Sequence, residues 1–326
     1  MNLKSELSII IPCYNKVEFL QETIDHIQGQ SFKLWELILI DDGSTDNTAA
    51  IIQKNANQSE RIKYVLNTEN KGANHCRNQG LSMASGKYIL FFDADDLILN
   101  DCFQNHFNQI KSNQNFDAWV FNMGVFNEEI GDTSQKYFWK VPEKTDYIVE
   151  KFLMHQIPWG TPQVIWSKEA ITRIQGFNTE FSRLQDVELH TRALLSGINF
   201  KTFPNSKYGT FYRISDKRMT VSYPTFYSEF VASCIKFYQT FYAEVSTHQR
   251  NLLVGTIFEA LTIISYQKKT NKISNELFKE LSLSLLNNIH DPQCKRIINN
   301  YLQIERAIPF YVKGLKFYFK RKLKLH

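Results

Sequence analysis

Three carboxylates follow a short apolar stretch of the chain, because Asp93, Asp95 and Asp96 come directly after Ile-Leu-Phe-Phe. Two carboxylates spaced as Asp-x-Asp on extended backbone can address one site, and Mg²⁺ or Mn²⁺ takes one or two carboxylates together with phosphate oxygens. Such an ion neutralises a diphosphate leaving group while its bond breaks. An acidic surface loop would look the same, but a position behind a buried strand favours a binding site. We therefore expect Mn²⁺ or Mg²⁺ at this position.

A second acidic segment, residues 41–46, reads Asp-Asp-Gly-Ser-Thr-Asp. Turn formation and helix capping explain its glycine and its last aspartate. Neither explains the successive carboxylates of Asp41 and Asp42 at the end of an apolar stretch. A carboxylate there can accept the ring N–H of a pyrimidine, and the ring of Tyr14 can stack on the same base. The alternative for Tyr14 is a tyrosine buried in the core.

These residues belong to separate loops, so they can form one site only in a fold that brings those loops together. The first third of the chain alternates strand-like and helix-like segments, which predicts an α/β fold with a mostly parallel sheet flanked by helices. Ligands of such sheets bind beyond the carboxyl ends of the strands, where all these residues fall. Strands are predicted over residues 7–11, 35–40, 62–66, 88–92 and 116–126, and helices over residues 17–28, 47–57 and 73–83.

Four segments, residues 8–27, 36–48, 70–96 and 176–194, closely resemble family 2 glycosyltransferases in content and order. The resemblance extends over about residues 7–215. It implies the GT-A fold, which is Rossmann-like, and transfer of a sugar from a nucleotide-diphosphate donor with inversion at the anomeric carbon. It does not specify the sugar. UDP is the nucleotide expected from family frequency, with GDP and dTDP as alternatives.

The resemblance also implies roles for the matched residues of the donor site. The metal it implies is Mn²⁺ or Mg²⁺. By this resemblance, Pro12 and Tyr14 would lie against the nucleobase, and Asp42, or next Asp41, would bind it. Arg77 would lie near the nucleotide, and Asp93 would contact the ribose. Asp95 would be the direct metal ligand, with Asp96 as a supporting residue.

Asp186 is the candidate catalytic base, because an acceptor hydroxyl must lose its proton as it attacks the sugar. The family usually has Glu-Asp here, and the chain has Gln185 before Asp186, which removes a neighbouring charge. Glu188 is the fallback base. The alternative is that Asp186 only stabilises a helix N-terminus.

Two further regions are candidates for diphosphate or acceptor contacts. Lys217 and Arg218 can reach a diphosphate as a loop closes, or can belong to a solvated charged loop. Trp159 can stack on an acceptor sugar, with core packing as its alternative. Ser215 stands where the family often has histidine.

The formal net charge of +5 resides at the C-terminal end, where no acidic residue follows Glu305. We expect a GT-A domain over residues 1–222 and a helical region over residues 223–326. Its basic tail, residues 309–326, can lie on an anionic membrane surface or pack on its own domain. Nucleic acid is not an expected partner, because no nucleic-acid motif accompanies these cations.

The sequence thus predicts a metal-dependent, hexosyltransferase-type enzyme of surface polysaccharide or glycan assembly, acting on a glycan or lipid-linked glycan acceptor. Five scattered cysteines and no visible signal peptide favour the cytoplasm, with a peripheral place on the inner face of the membrane. A catalytically degenerate nucleotide-sugar-binding or scaffold subunit is the alternative. A nucleotidyltransferase or a dinucleotide oxidoreductase is disfavoured, because no glycine-rich phosphate loop follows the first predicted strand.

Overall fold

A computed structural model describes residues 5–137, 139–214, 221–307 and 314–325. The backbone forms two compact units. The first comprises Met1–Asp146, Pro158–Glu180 and Arg192–Arg218, and the second comprises Tyr147–Ile157, Phe181–Thr191 and Met219–His326. Two short earlier segments therefore group with the C-terminal helices. The domain boundary expected at residue 222 stays a prediction.

Within the described residues, the first unit contains ten strands that form two sheets. They are β1 (Leu7–Cys13), β2 (Trp35–Asp41), β3 (Ile62–Leu66), β4 (Tyr88–Phe91), β5 (Leu97–Ile98), β6 (Ala118–Phe121), β7 (Met123–Phe126), β8 (Val164–Ser167), β9 (Phe200–Phe203) and β10 (Thr210–Arg213). The large sheet has seven strands in the order β3-β2-β1-β4-β8-β6-β9, and β8 runs antiparallel to its neighbours β4 and β6. The predicted α/β class with a mostly parallel sheet is confirmed.

Helices flank this sheet because its central strands are almost entirely buried. Every residue of β2 is buried, as expected for a parallel strand covered on both faces. The helices of the chain are α1 (Leu20–Gln28), α2 (Thr48–Gln58), α3 (Ala73–Met83), α4 (Cys102–Lys111), α5 (Ile148–Leu153), α6 (Lys168–Arg173), α7 (Gln185–Leu195), α8 (Tyr223–Tyr242), α9 (Thr247–Lys269), α10 (Asn275–Asn287), α11 (Pro292–Ala307) and α12 (Leu315–Lys322).

The single strand predicted over residues 116–126 is wrong, because the chain leaves the large sheet at Asn122. The side-chain amide of Asn122 donates to the carbonyls of Pro204 and Ser206 at 2.5 and 2.9 Å. Before this residue β6 belongs to the large sheet, and after it β7 pairs with β10 in a small sheet of order β5-β10-β7. The small sheet places Arg213, the last residue of β10, opposite Phe126.

The second unit is helical, as predicted for the C-terminal region. Ser222, Ser246 and Ser274 begin α8, α9 and α10, and each hydroxyl accepts the backbone N–H three residues further on. Helix α9 packs against α5, α8, α10 and α11. No helix within the described ranges is both long enough and apolar enough to cross a membrane.

Candidate functional site

The loops after β1 and β2 are joined by hydrogen bonds into one rim. Asn15 has a left-handed backbone, with φ of 51°, which asparagine tolerates better than most residues. Its N–H donates to Ser44 Oγ at 3.0 Å, and its side-chain oxygen accepts the N–H of Thr45 at 2.8 Å. The N–H of Lys16 donates to Thr48 Oγ1 at 2.8 Å. These contacts fix the carboxyl ends of β1 and β2 relative to each other.

The successive carboxylates at the end of β2 have different partners. Asp42 accepts the backbone N–H groups of Lys71 and Gly72 at 2.8 and 2.9 Å, which joins the loop before α3 to the rim. Asp41 accepts the N–H of Ser44 on Oδ2 at 3.1 Å. Its Oδ1 is buried and has no hydrogen-bond partner within the part of the chain that the structure describes. A buried acceptor without a partner is costly, so Asp41 retains the capacity to accept a ligand N–H.

The two residues expected against a nucleobase lie at the end of β1. Pro12 and Tyr14 are both half-buried, so the core alternative does not describe Tyr14. The neighbouring turn requires glycine at Gly43, where φ is 73° and an added Cβ would lie 2.8 Å from the backbone of Glu69. The rim can therefore pack closely while the ring of Tyr14 stays accessible.

Arg77 and Asp93 form an ion pair between α3 and the loop after β4. Arg77 Nη2 lies 3.1 Å from Asp93 Oδ1, and Arg77 Nη1 donates to Asn74 Oδ1 at 3.3 Å. The guanidinium also lies over the ring of Phe177, 5.0 Å from its centroid. Arg77 is buried, whereas Asp93 is partly exposed. The structure thus brings together two residues that the sequence placed at the nucleotide.

Asp95 is paired with a lysine that sequence reasoning did not single out. The carboxylate is only 1% exposed, and Lys16 Nζ lies 2.7 Å from its Oδ2. Lys16 directly follows the Tyr14-Asn15 motif, and this position was the sequence feature that could have identified it as a site residue. The pair connects the loop after β1 with the loop after β4.

The fit of a divalent ion depends on this same carboxylate. Asp95 supplies a hard oxygen ligand at a strand end, and the neighbouring ammonium shows that the position accepts positive charge. Across the described ranges, no group of three or more His, Cys, Asp or Glu side chains is placed to hold a metal ion. A bound Mg²⁺ or Mn²⁺ would therefore take most of its ligands from phosphate oxygens and water.

The acidic loop after β4 is held from below by Thr23 and Arg213. Thr23 Oγ1 lies 3.0 Å from the carbonyl oxygens of both Ala94 and Asp96. Arg213 donates its backbone N–H to Asp96 Oδ1 at 3.0 Å and its Nε–H to the carbonyl of Asp95 at 2.9 Å. One carboxylate oxygen of Asp96 is thus used within the protein, and its supporting role stays a prediction.

The guanidinium of Arg213 is itself fully packed. It is 3% exposed, pairs with Glu22 at 2.6 Å, and lies between the rings of Phe19 and Phe126 at 4.7 and 4.4 Å. Sequence reasoning gave Arg213 no role, because the contact spans 118 residues from Asp95 and no local pattern encodes it.

Two cysteines line the same region but are not nucleophiles. Burial, followed by the nearby charge of Asp42, raises the pKa of Cys76 to about 12. Burial also raises the pKa of Cys13 well above its usual range. Both thiols stay protonated at neutral pH and act as small packing groups.

Asp186, the candidate base, belongs to the second unit and lies in the first turn of α7. It is half-buried, and its Oδ1 accepts the N–H of Val187 at 3.0 Å. Gln185 donates to the carbonyl of Ser182 at 3.0 Å. Glu188 is buried, which disfavours it as a base for an incoming acceptor.

A buried histidine follows Asp186 by one helical turn. Burial lowers the pKa of His190 to about 3, against the opposing effect of a hydrogen bond to the backbone of Asp186. His190 is therefore neutral at physiological pH. The sequence gave no reason to select it.

Trp159 is corrected from a possible acceptor contact to a core residue. Its side chain is 0% exposed, and its ring packs on Phe200 with centroids 5.4 Å apart. The nearby Trp139 is half-buried, and its ring would lie 3.0 Å from a Cβ added at Gly160. Trp139 therefore retains some accessible surface. Lys217 and Arg218 lie outside the described residues.

The fold defines the class of protein. The crystal structure of S. aureus TarS 1-349 in complex with UDP-GlcNAc matches with a TM-score of 0.66 at 18% identity, covering 97% of this chain and 90% of that chain. This likeness establishes the GT-A fold.

The chain belongs to glycosyltransferase family 2. A sequence model of glycosyl transferase family 2 matches residues 8–169. EpsE of Bacillus subtilis, provisionally described as a glycosyltransferase, is 30% identical over 200 residues, which cover 60% of this chain and 69% of EpsE. The resemblance drawn from the motifs is confirmed.

A further relative comes from Campylobacter jejuni. Its GalNAc(5)-diNAcBac-PP-undecaprenol beta-1,3-glucosyltransferase is 35% identical over 178 residues, 54% of this chain and 56% of that protein. This chain spans about half the length of the first curated relatives it matches. The relatives include proteins of polysaccharide and glycan biosynthesis.

Proposed function

We propose that this glycosyltransferase transfers a sugar from a UDP-sugar to an acceptor hydroxyl with inversion, in the assembly of a surface polysaccharide or glycan. The observation that carries the proposal is the paired charge at the carboxyl ends of β1 and β4, Lys16 with Asp95 and Arg77 with Asp93. Paired charges of both signs suit a diphosphate that binds together with a cation. The co-crystallised UDP-GlcNAc of the TarS structure supports UDP as the nucleotide.

In this proposal the rim formed by the loops after β1 and β2 binds the base. The half-buried ring of Tyr14 stacks on it beside Pro12, and Asp42 or Asp41 accepts its ring N–H. The unpartnered Oδ1 of Asp41 supports a direct part for that residue. Asp93, held by Arg77, is the partly exposed carboxylate proposed for the ribose.

Asp95 is proposed to hold Mn²⁺ or Mg²⁺, which when bound neutralises the diphosphate leaving group. Lys16 neutralises this carboxylate in the absence of the donor, and its ammonium lies close enough to exchange Asp95 for a phosphate oxygen. Arg213 and Thr23 keep the loop in one conformation, so the carboxylate needs no reordering when the donor arrives.

Asp186 is proposed as the general base, on the strength of the motif it occupies. A carboxylate at this step removes the proton of the acceptor hydroxyl as the oxygen attacks the anomeric carbon. A glycan or lipid-linked glycan acceptor is proposed from the Campylobacter relative, whose printed name includes a polyprenyl-diphosphate glycan.

The donor site is tested by calorimetric titration with UDP, GDP and dTDP, each with and without Mn²⁺. We expect UDP to bind, and to bind more tightly with Mn²⁺. Asp95→Asn should lose only the increase in UDP affinity that Mn²⁺ provides. Glu69→Gln, which changes an exposed carboxylate on a neighbouring loop, should bind UDP as the wild type does. If the wild type bound UDP equally well with and without Mn²⁺, the role of Asp95 would be contradicted, but the donor site would not. Failure of the folded protein to bind any of the nucleotides would contradict the donor site.

The base is tested by transfer of labelled sugar from the identified donor to a glycolipid acceptor. Asp186→Asn should leave donor affinity unchanged and reduce turnover about 10²–10⁴-fold. Gln185→Glu, which restores the usual family pair, should retain turnover. A wild type that binds donor but transfers nothing to a panel of acceptors would favour the non-catalytic subunit.

A further inference from the structure

Helix α12 presents two faces of different character within the second unit. The inner face packs on the unit: Phe319 contacts Tyr301 with ring centroids 5.4 Å apart, and Leu323 and Leu325 are buried. The side chain of Leu325 also reaches the backbone region of Gly255 in α9. The described end of the chain is therefore a docked element of the unit.

Two of its lysines are used internally. Lys316 Nζ lies 2.6 Å from Glu259 of α9, and Lys320 pairs with the same carboxylate. Burial opposes ionisation of Glu259, but the hydrogen bonds from both lysines outweigh it and lower its pKa. These two cations hold α12 in place and are not available to an external partner.

The outer face combines aromatic rings with cations. Phe317 and Tyr318 are 70% and 53% exposed, which is unusual for large aromatic side chains. Arg321 and Lys322 follow them at i+4, so each cation lies one turn beyond a ring on the same face. Lys322 Nζ lies 5.5 Å from the ring centroid of Tyr318.

The charge of this face has one sign. Arg321, Lys322 and Lys324 are exposed, and none of them pairs with a carboxylate in the described part of the chain. Glu259, under the inner face, is already neutralised by Lys316 and Lys320. An exposed apolar pair beside unpaired cations is the arrangement that binds the surface of an anionic bilayer.

We propose that the outer face of α12, made of Phe317, Tyr318, Arg321 and Lys322, docks the protein on an anionic lipid surface, together with Lys324 just beyond the end of the helix. The rings enter the headgroup region, and the cations contact lipid phosphates. This docking goes beyond the proposed transfer reaction and does not depend on it. It sharpens the expectation for the whole tail, because Lys316 and Lys320 are excluded from the contact.

The test is co-sedimentation of the full chain with vesicles, in the absence of donor and acceptor. Vesicles of phosphatidylcholine alone are compared with vesicles that contain phosphatidylglycerol, at low and high salt. We expect binding only to the anionic vesicles, and its loss at high salt. Equal binding to both vesicle types, or to neither, would overturn the proposal.

Three variants separate the contributions. The triple change Arg321→Gln, Lys322→Gln and Lys324→Gln should lower the partition coefficient about 100-fold, at about 5-fold per cation. Phe317→Ser with Tyr318→Ser should lower it about tenfold. The control removes the same charge from exposed lysines of the first unit, as Lys54→Gln, Lys111→Gln and Lys136→Gln, and should retain most of the binding.

Two further outcomes would also contradict docking of α12 on an anionic lipid surface. If the control variant lost as much vesicle binding as the α12 variant, the net charge of the protein would explain the effect. That result would overturn the proposal. A change of molar mass in light scattering for the Phe317 and Tyr318 variant, without a change in vesicle binding, would assign the face to a second copy of the chain. Thermal unfolding of each variant establishes that the comparison is made between folded proteins.

Discussion

The surroundings of the loop after β4 and the outer face of α12 both carry charge, and the two regions use it in opposite ways. Around the loop, Lys16, Arg77 and Arg213 each pair with a carboxylate, and Arg213 is almost completely buried. On α12 the cations are exposed and have no carboxylate partner in the described part of the chain. Buried charge is costly unless its partners are fixed, so the first set determines local structure. Exposed charge contributes little to folding and is free to bind a partner.

The largest effect on stability is expected at Arg213. Arg213→Met removes a 3%-exposed cation and the Nε–H that donates to the carbonyl of Asp95, while the backbone N–H that donates to Asp96 remains. We expect the free energy of unfolding to fall by about 3 kcal/mol. The measurement is urea unfolding, with UDP affinity as a second readout. A loss below about 1 kcal/mol would mean that the loop does not depend on this residue.

Glu22→Gln is the matched control for that change. Its side chain is 47% exposed, so its pairing with Arg213 is screened by water. We expect a loss below about 1 kcal/mol. A loss equal to that of Arg213→Met would mean that the ion pair provides the stabilisation, and that the contacts of Arg213 with the loop do not.

Acid is expected to weaken the core through buried histidines. Burial lowers the pKa of His106 and His190 to about 3 and that of His155 to about 4. The unfolded chain takes up protons below about pH 6.5 and the folded chain does not, so stability falls as pH decreases. At pH 5 each histidine costs about 2 kcal/mol relative to neutral pH.

The check is urea unfolding at pH 7 and pH 5, a window that lies above the ordinary carboxylate range. His106→Gln should show a smaller difference between the two pH values than the wild type, because the group that binds the proton on unfolding is gone. An unchanged pH dependence in this variant would mean that His106 is already accessible to protons in the folded protein.

Thr23 should give a smaller effect than either of these. Thr23→Val keeps the shape of the side chain but removes the hydroxyl that bonds to the carbonyls of Ala94 and Asp96. We expect a loss of about 1 kcal/mol in unfolding free energy. Thr23→Ser keeps the hydroxyl and should recover most of it. Equal losses in both would assign the effect to packing of the methyl group.

The smallest effect is expected on α12. Arg321→Gln together with Lys322→Gln should change the unfolding free energy by less than about 0.5 kcal/mol, because both side chains face water. A substantial loss would show that these cations stabilise the unit, and would remove the contrast with the loop after β4.

The local periodicity of the chain was sufficient to predict the strands of the first third, because each strand there is a run of mainly apolar residues that ends at a polar loop. Strand β3 and helix α3 were predicted with their observed bounds, Ile62–Leu66 and Ala73–Met83. The break at Asn122 was missed, because it depends on carbonyls of residues that lie more than 80 positions away in sequence. Periodicity carries no information about such a contact.

The candidate site shows the same division. The carboxylates of Asp41, Asp93 and Asp95 were selected as candidates because their position at strand ends is readable from sequence, and their roles stay predictions. Lys16 and Arg213 were missed, since their roles follow from ion pairs and hydrogen bonds that only tertiary structure creates. Trp159 was misplaced because an aromatic residue beside Gly-Thr-Pro gives no indication of which way its ring faces.

The turn of the chain at Asn122 has a consequence for how this protein can vary. Residues 118–126 run without a gap from the large sheet into the small one, where Phe126 faces Arg213 in register. Insertion or deletion of a single residue here would shift β7 along β10 and move Arg213 away from the acidic loop. Length should therefore be invariant across this short stretch in functional variants.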